Sequence, residues 1–329
     1  MMRKGLTKLF IGITLIPMAG LVNCAKEEHG EGPYAYVADV DAGLRVIDIS
    51  DPSAPKEVGS YNTPEDTVND VFVSGKYAYI ADYPNGLAVI DISNPSSPEK
   101  VGCCSAIDYP NSLFVSGNYA YVLTYDSAYR YNMRVIDISN PSSPQKVASC
   151  DFAYAWEIFV SGNYAYITEF DYGFAIVDIS NPTSPQVITD GCMSGWNILG
   201  VYASGSYLYL AARDDGLVII DIHDPTNPSF AGLCPITNAA GVFVSGNYAY
   251  VTTLDSTLRV IDVSDPTNPK EVGHCQTPDK PYGVFVSGNY AYVAATYSGL
   301  RIIDISDPAN PKEVGYCDTP DQAFRVFVE

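Results

Sequence analysis

Histidine, tryptophan and basic side chains are scarce in this chain. Its 329 residues include three His and two Trp, and 18 Lys and Arg stand against 38 Asp and Glu, a formal charge of −20. His29, His223 and His274 lie far apart, which argues against a His-centred triad or a His-based metal site. The acidic surplus argues against nucleic acid and anionic lipid as partners. Solubility alone accounts for that surplus; a cationic partner or bound calcium is the sharper alternative. No CxxC or Cys/His zinc spacing occurs, and no G-x-S-x-G, Walker or dinucleotide fingerprint stands between a strand and a helix. Good helix formers are sparse. Tyrosine (26), Gly (26) and Pro (23) are plentiful, a composition that favours short strands and tight turns.

Long apolar runs are also lacking, apart from Leu9 to Val22. Those 14 residues follow Arg3, Lys4 and Lys8 and are too short to span a bilayer comfortably. Residues 1–23 read as a secretory signal. Leu21-Val22-Asn23-Cys24 is similar to a bacterial lipobox, with Asn23 in place of the usual small residue, so Cys24 is the candidate lipidation site. Residues 24–32 then form a polar tether. The expected localisation is exported: lipid-anchored at the cell envelope or surface, or otherwise secreted or periplasmic. A membrane would be met only through the anchor at Cys24.

Seven copies of one pattern fill the rest. Their leading tyrosines are Tyr34, Tyr77, Tyr119, Tyr164, Tyr207, Tyr248 and Tyr290, spaced 41 to 45 residues apart. A full copy holds four strand signals. Strand a is VFVS; a Ser-Gly-Asn turn leads to strand b (Tyr-Ala-Tyr-Val). A variable loop leads to strand c, as in Leu300 to Ile305, and an Asx-Pro-x-x-Pro turn leads to strand d, as in Lys312 to Gly315. The connections are too short for crossover helices, so the strands form an antiparallel meander. Strands a, b and c are apolar on both faces and are expected to be buried on both. Strand d opens with charge, as at Lys56-Glu57 and Lys270-Glu271, which suits an exposed edge. The first Tyr-Ala-Tyr has no strand a before it, and the last VFV, 326–328, has nothing after it. The fold expected for 33–329 is therefore an all-β, seven-bladed β-propeller of four-stranded antiparallel blades, closed by the C-terminal strand joining the N-terminal blade.

GLRVIDISDPSAPKEVGSY (43–61) and its copies resemble the LVIVD repeat family of predicted β-propellers, found largely in exported bacterial and archaeal proteins. The resemblance covers about 30–329. It implies a fold but no established reaction and no catalytic residues. Copy three departs from the pattern with an enlarged b–c loop, Tyr125 to Asn132, and copy five carries His223 in place of Ser.

Six cysteines share one repeat position: Cys104, Cys150, Cys192, Cys234, Cys275 and Cys317, with Tyr61 in the first copy. Equivalent positions in neighbouring blades are too far apart for disulfides, so these read as small thiols packed between repeats. The repeated acid of strand c, such as Asp48 or Asp304, and the Asx before Pro read as turn-forming hydrogen-bond acceptors.

The a–b and c–d turns are uniform and share one rim; the b–c and d–a loops vary and share the other. A ligand site is expected on the variable rim, near the channel mouth. The candidates are Asn69, Asp70, Tyr109, Asn111, Trp156, Glu157, Trp196, Asn197, Arg213, Tyr282 and Arg325. Each tryptophan is either a lid on a blade core or a recognition platform. The favoured reading is a non-enzymatic, monomeric binding or scaffold module for an envelope or surface protein, peptide or glycan. No catalytic residue, metal ligand or cofactor is expected, although calcium on rim carboxylates stays open. The alternative is a hydrolase or lyase with a carboxylate- or metal-based site at the channel mouth, from pairs such as Asp70 with Glu157 or Asp214 with Asp215.

Overall fold

A computed structural model describes residues 33–63, 67–192 and 195–329; the signal, the tether and Cys24 lie outside the described residues. Twenty-eight strands, numbered β1 to β28 in chain order, form seven four-stranded antiparallel sheets. Each sheet is a blade, and the blades stand in a ring. Blades 2 to 7 are consecutive meanders. Blade 1 has the order β28 (Ala323–Val328), β1 (Tyr34–Asp39), β2 (Gly43–Asp48), β3 (Lys56–Tyr61). The C-terminal strand thus supplies the missing innermost strand of the first blade, as the orphan VFV implies.

The closing strand keeps the register of the others. Phe327 pairs with Tyr36 across β28 and β1, as Phe72 pairs with Tyr79 in blade 2. Buried Asp39, the last residue of β1, adds a second tie. Its Oδ1 accepts the Thr319 hydroxyl at 2.7 Å and its Oδ2 accepts the Asp321 N–H at 3.1 Å, joining blade 1 to the loop after blade 7.

Seven apolar clusters form the core, one between each pair of neighbouring blades. Consecutive residues of strands b and c, such as Tyr36 and Val37 or Val46 and Ile47, are buried because blades cover both faces. Each cluster also holds one member of the cysteine series or, in the first copy, Tyr61. All described cysteines are free thiols, and Cys103 alone of them is exposed. The outermost strands begin with exposed residues such as Lys56, Glu99 and Lys270, as edge strands require.

Strand a differs from the expectation of burial on both faces. Its Val residues enter the blade core, whereas the aromatic residue between them is half-buried and faces the channel side. These seven residues, Phe72, Phe114, Phe159, Tyr202, Phe243, Phe285 and Phe327, make a closed collar. Consecutive ring centroids lie 4.5 to 5.0 Å apart, and Phe327 of the last strand touches both Phe285 and Phe72. Tilted aromatic pairs at this spacing are favourable beyond the area they bury.

The c–d turns repeat one construction. In every copy the last Asp of strand c accepts the N–H two residues on at 2.8 to 2.9 Å, from Ser50, Ser93, Ser139, Ser180, His223, Ser264 and Ser306. The acid is structural and the same seven times, so this rim is uniform.

If the collar closes the ring, truncating it should cost the same wherever the residue falls in the chain. Phe327→Ala and Phe114→Ala are each expected to lower the unfolding free energy by roughly 2–4 kcal/mol in denaturant melts. A much smaller loss for Phe327→Ala would mark the last strand as an accessory.

Candidate functional site

Six of the seven innermost strands carry a β-bulge or register break toward the variable rim, for example between Val68 and Val71, Pro110 and Ser112, and Ala155 and Ile158, and in the seventh Gly283 stands at the equivalent place just before β24 (Val284–Ser287). The bulge turns one side chain toward the next blade. Around the ring these positions hold Asp70, Ser112, Glu157, Gly200, Gly241, Gly283 and Arg325. One arc is therefore polar and the other glycine. A Cβ on Gly241 would lie 2.2 Å from the Tyr282 carbonyl oxygen, and one on Gly200 2.5 Å from that of Ala240, so the glycine arc lets neighbouring strands touch.

On the polar arc the side chains bridge the blades. Asp70 Oδ2 accepts the Ser112 hydroxyl at 3.0 Å and the Leu113 N–H at 2.9 Å, while its Oδ1 accepts the Val71 N–H at 2.8 Å. Ser112 Oγ accepts from the Ile158 N–H at 3.4 Å. Asn69 donates to the Pro110 carbonyl at 2.9 Å and Asn111 to that of Trp156 at 2.7 Å. These candidates link strand to strand.

Arg325 does something else. Its Nη2 lies 3.2 Å from Glu157 Oε1, with side-chain exposures of 14% and 18%. Arg325 stands in blade 1 and Glu157 in blade 4, with β4 (Thr67–Ser74) and β8 (Tyr109–Ser116) between them in the ring. The ion pair therefore crosses the channel mouth as a strut. Burial pushes the Glu157 carboxyl up to about 7; Arg325 opposes that rise and the Asp70 charge adds to it. Burial likewise raises Asp70, against Arg325 and its three donors. Glu157 Oε2 is buried without a hydrogen-bond partner. So Asp70, Glu157 and Arg325, dispersed in sequence, form one charged group over the axis.

The other candidates are placed separately. Trp196 packs on the core between blades 4 and 5 and meets Phe230 edge-on at 6.2 Å, which makes it a lid. Asn197 and Arg213 are joined through backbone, the Arg213 N–H donating to the Asn197 carbonyl at 2.8 Å. Tyr282 stacks on Phe324 at 4.5 Å, on the other side of Arg325. Trp156 is half-buried beside Glu157.

Tyr109 belongs to a feature that single positions in the sequence do not show. Tyr83, Tyr109, Tyr125, Tyr131, Tyr154 and Phe170 form a continuous arc on the variable rim of blades 2, 3 and 4, with centroids 4.5 to 5.8 Å apart. Tyr129 stacks parallel on Tyr125 at 6.2 Å and is 73% exposed. It stands on the enlarged loop of copy three. Asp126 Oδ1 accepts the N–H groups of Ala128 and Arg130 at 2.9 and 3.0 Å, and Tyr129 sits at φ 56°, a conformation that disfavours a bulky residue. Burial, then the neighbouring Tyr154 hydroxyl, raises the Tyr131 phenol. The signal in the sequence is density: six tyrosines between 83 and 154 fall at strand ends or in the loops of the variable rim.

Glu169, beneath Phe170, is fully buried and accepts the Ala153 and Gly191 N–H groups at 3.3 and 3.2 Å. Burial, reinforced by a hydrogen bond and charge from Asp190, pushes it up to about 7. Among the described residues no group of three His, Cys, Asp or Glu side chains is placed to hold a metal ion.

Glu157 and Glu169 set the sign of a pH dependence. Both bind a proton more tightly folded than unfolded, so the stability they contribute is full below about pH 4.5 and is lost as pH rises through about 7. Melts should therefore show greater stability at pH 5 than at pH 8. Glu157→Gln should shrink that difference by on the order of 2–3 kcal/mol; an unchanged difference would contradict the burial of its charge.

Comparison with solved structures agrees with the architecture. A hypothetical selenium-binding protein from Sulfolobus tokodaii superposes with a TM-score of 0.70 at 10% identity, over 92% of this chain and 94% of that one. AztD from Citrobacter koseri gives 0.58 at 14% identity, over 90% and 97%. Sqt1 from Saccharomyces cerevisiae gives 0.64 at 10% identity, over 90% and 85%. At these identities the likeness is one of fold. Comparison with curated proteins yields no match. The LVIVD repeat model matches seven times, at 31–63, 67–106, 109–152, 153–190, 199–235, 237–277 and 281–319. With seven matched repeats in seven blades, the chain belongs to the LVIVD repeat family.

Proposed function

We propose that this protein is a non-enzymatic binding or scaffold module that recognises a protein, peptide or glycan through its variable rim, at the tyrosine arc of blades 2 to 4. The single observation behind this reading is Tyr129, a large aromatic ring held exposed by a clamped turn that no other blade has. Tyr and Arg, here Tyr129 beside Arg130, are among the residue types enriched at binding hot spots. The opposite rim repeats one turn seven times and offers no such individuality. The carboxylate pair of the enzymatic alternative, Asp70 and Glu157, is engaged with neighbouring strands and with Arg325.

The proposed setting is the cell envelope or surface, reached through the export signal and a lipid anchor on Cys24. Cys24→Ser should move the protein from the membrane fraction to the soluble one. Retention in the membrane fraction by the variant would reject the anchor.

Binding is tested by probing peptide and glycan arrays with the intact protein. Tyr129→Ala should reduce specific signals at least tenfold, whereas Trp196→Ala should lower the melting temperature and leave the pattern of hits unchanged. Signals that survive Tyr129→Ala and Tyr125→Ala would place recognition elsewhere.

A further inference from the structure

The arc has a length, a relief and a charge, and together they narrow the ligand. Its successive spacings sum to about 26 Å, the reach of roughly eight extended residues at about 3.3 Å each. A polymer segment fits that length and a single small molecule does not.

The relief is a series of tilted rings. Neighbours along the arc meet at 35° to 53°, so no two present one flat surface for a sugar ring to lie on. The parallel pair, Tyr125 and Tyr129, at 2°, stacks one ring over the other. Tilted aromatic faces instead make a row of shallow, electron-rich notches. Such notches attract ammonium and guanidinium groups.

The charge points the same way. The basic side chains along the arc are already paired: Lys100 with Asp82 at 3.6 Å, Arg134 with Asp108 at 3.7 Å, and Arg130 with Asp126. Asp151 and Asp171 flank arc residues, are exposed, and have no ion-pair partner among the described residues. The surplus at the arc is negative, and the chain as a whole carries −20, a field that draws cations in and turns acidic segments away.

We propose that the tyrosine arc takes an extended lysine- or arginine-rich peptide segment, its cationic side chains resting over the outward faces of the tyrosine rings and its charge met by the flanking aspartates. This rests on the reading of the variable rim as the binding surface and adds the class of ligand. Tyr129 is the anchor, preorganised by its turn, so little ordering accompanies binding.

The probe is a fluorescein-labelled octapeptide of alternating Arg and Ala, titrated by anisotropy with the intact protein at low and high salt. A Glu–Ala octapeptide and a neutral oligosaccharide serve as comparators. The Arg–Ala peptide should bind, and bind more weakly at high salt. Tyr129→Ala and Asp151→Asn, both at exposed positions, should each weaken it at least fivefold, while Asp214→Asn, in blade 5, should leave it unchanged. An equal loss for Asp214→Asn would overturn the proposal by showing diffuse attraction to an acidic protein. Binding of the oligosaccharide but not the basic peptide, abolished by Tyr129→Ala, would overturn the ligand class and leave the rim reading standing. Binding of the basic peptide that neither Tyr129→Ala nor Asp151→Asn weakens would overturn both.

Discussion

Seven aromatic rings in mutual contact around one axis hold this molecule in a closed shape, and the seventh comes from the third-last residue of the chain. Phe327 sits between Phe285 and Phe72 at 5.0 and 4.7 Å. Without it the first blade would lack its inner strand and the core between blades 7 and 1 would lie open, since Val326 and Val328 fill that cluster. A repeat protein whose units touch only their neighbours has two vulnerable ends. Here each end covers the other.

The closure also shapes the candidate site. β28 places Arg325 over the channel mouth, where it meets Glu157 from across the ring and lies within electrostatic reach of Asp70. The equivalent position is polar on one arc and glycine on the other, so equivalent strands are spaced by side chains on one side and touch on the other. A ring of near-identical units thereby acquires a front and a back. The tyrosine arc lies over blades 2 to 4, on the side where side chains separate the strands.

Much of the fold was legible because its causes are local. Tyr-Ala-Tyr, Ser-Gly-Asn and Asx-Pro-x-x-Pro recur in place, and each makes its strand or turn without distant help. The orphan strand was legible because a period of known length shows a gap. The collar was less so: the Phe of VFVS recurs as regularly as its valines, and only the ring separates the half-buried residue from the buried ones. Asp70, Glu157 and Arg325 were named as rim residues, but their meeting needs blades 1, 2 and 4 to face one axis. The arc was hidden for the same reason. Tyr83 ends β5 (Tyr77–Tyr83), Tyr109 opens β8 and Tyr154 lies before β12 (Ala155–Ser161), and they become parts of one arc only through the curvature of the ring. Trp196, one of two tryptophans in the chain, packs against the core between blades 4 and 5.

Closure by the C-terminal strand is tested most directly by native-state amide hydrogen exchange. The amides of Val326, Phe327 and Val328 should exchange as slowly as those of Val71 to Val73, in a single cooperative opening with the same free energy. Rapid exchange in 326–328 and in the facing amides of 35–37, with blades 2 to 7 still protected, would mean an open arc with a loose seventh contact, and would contradict the closed ring.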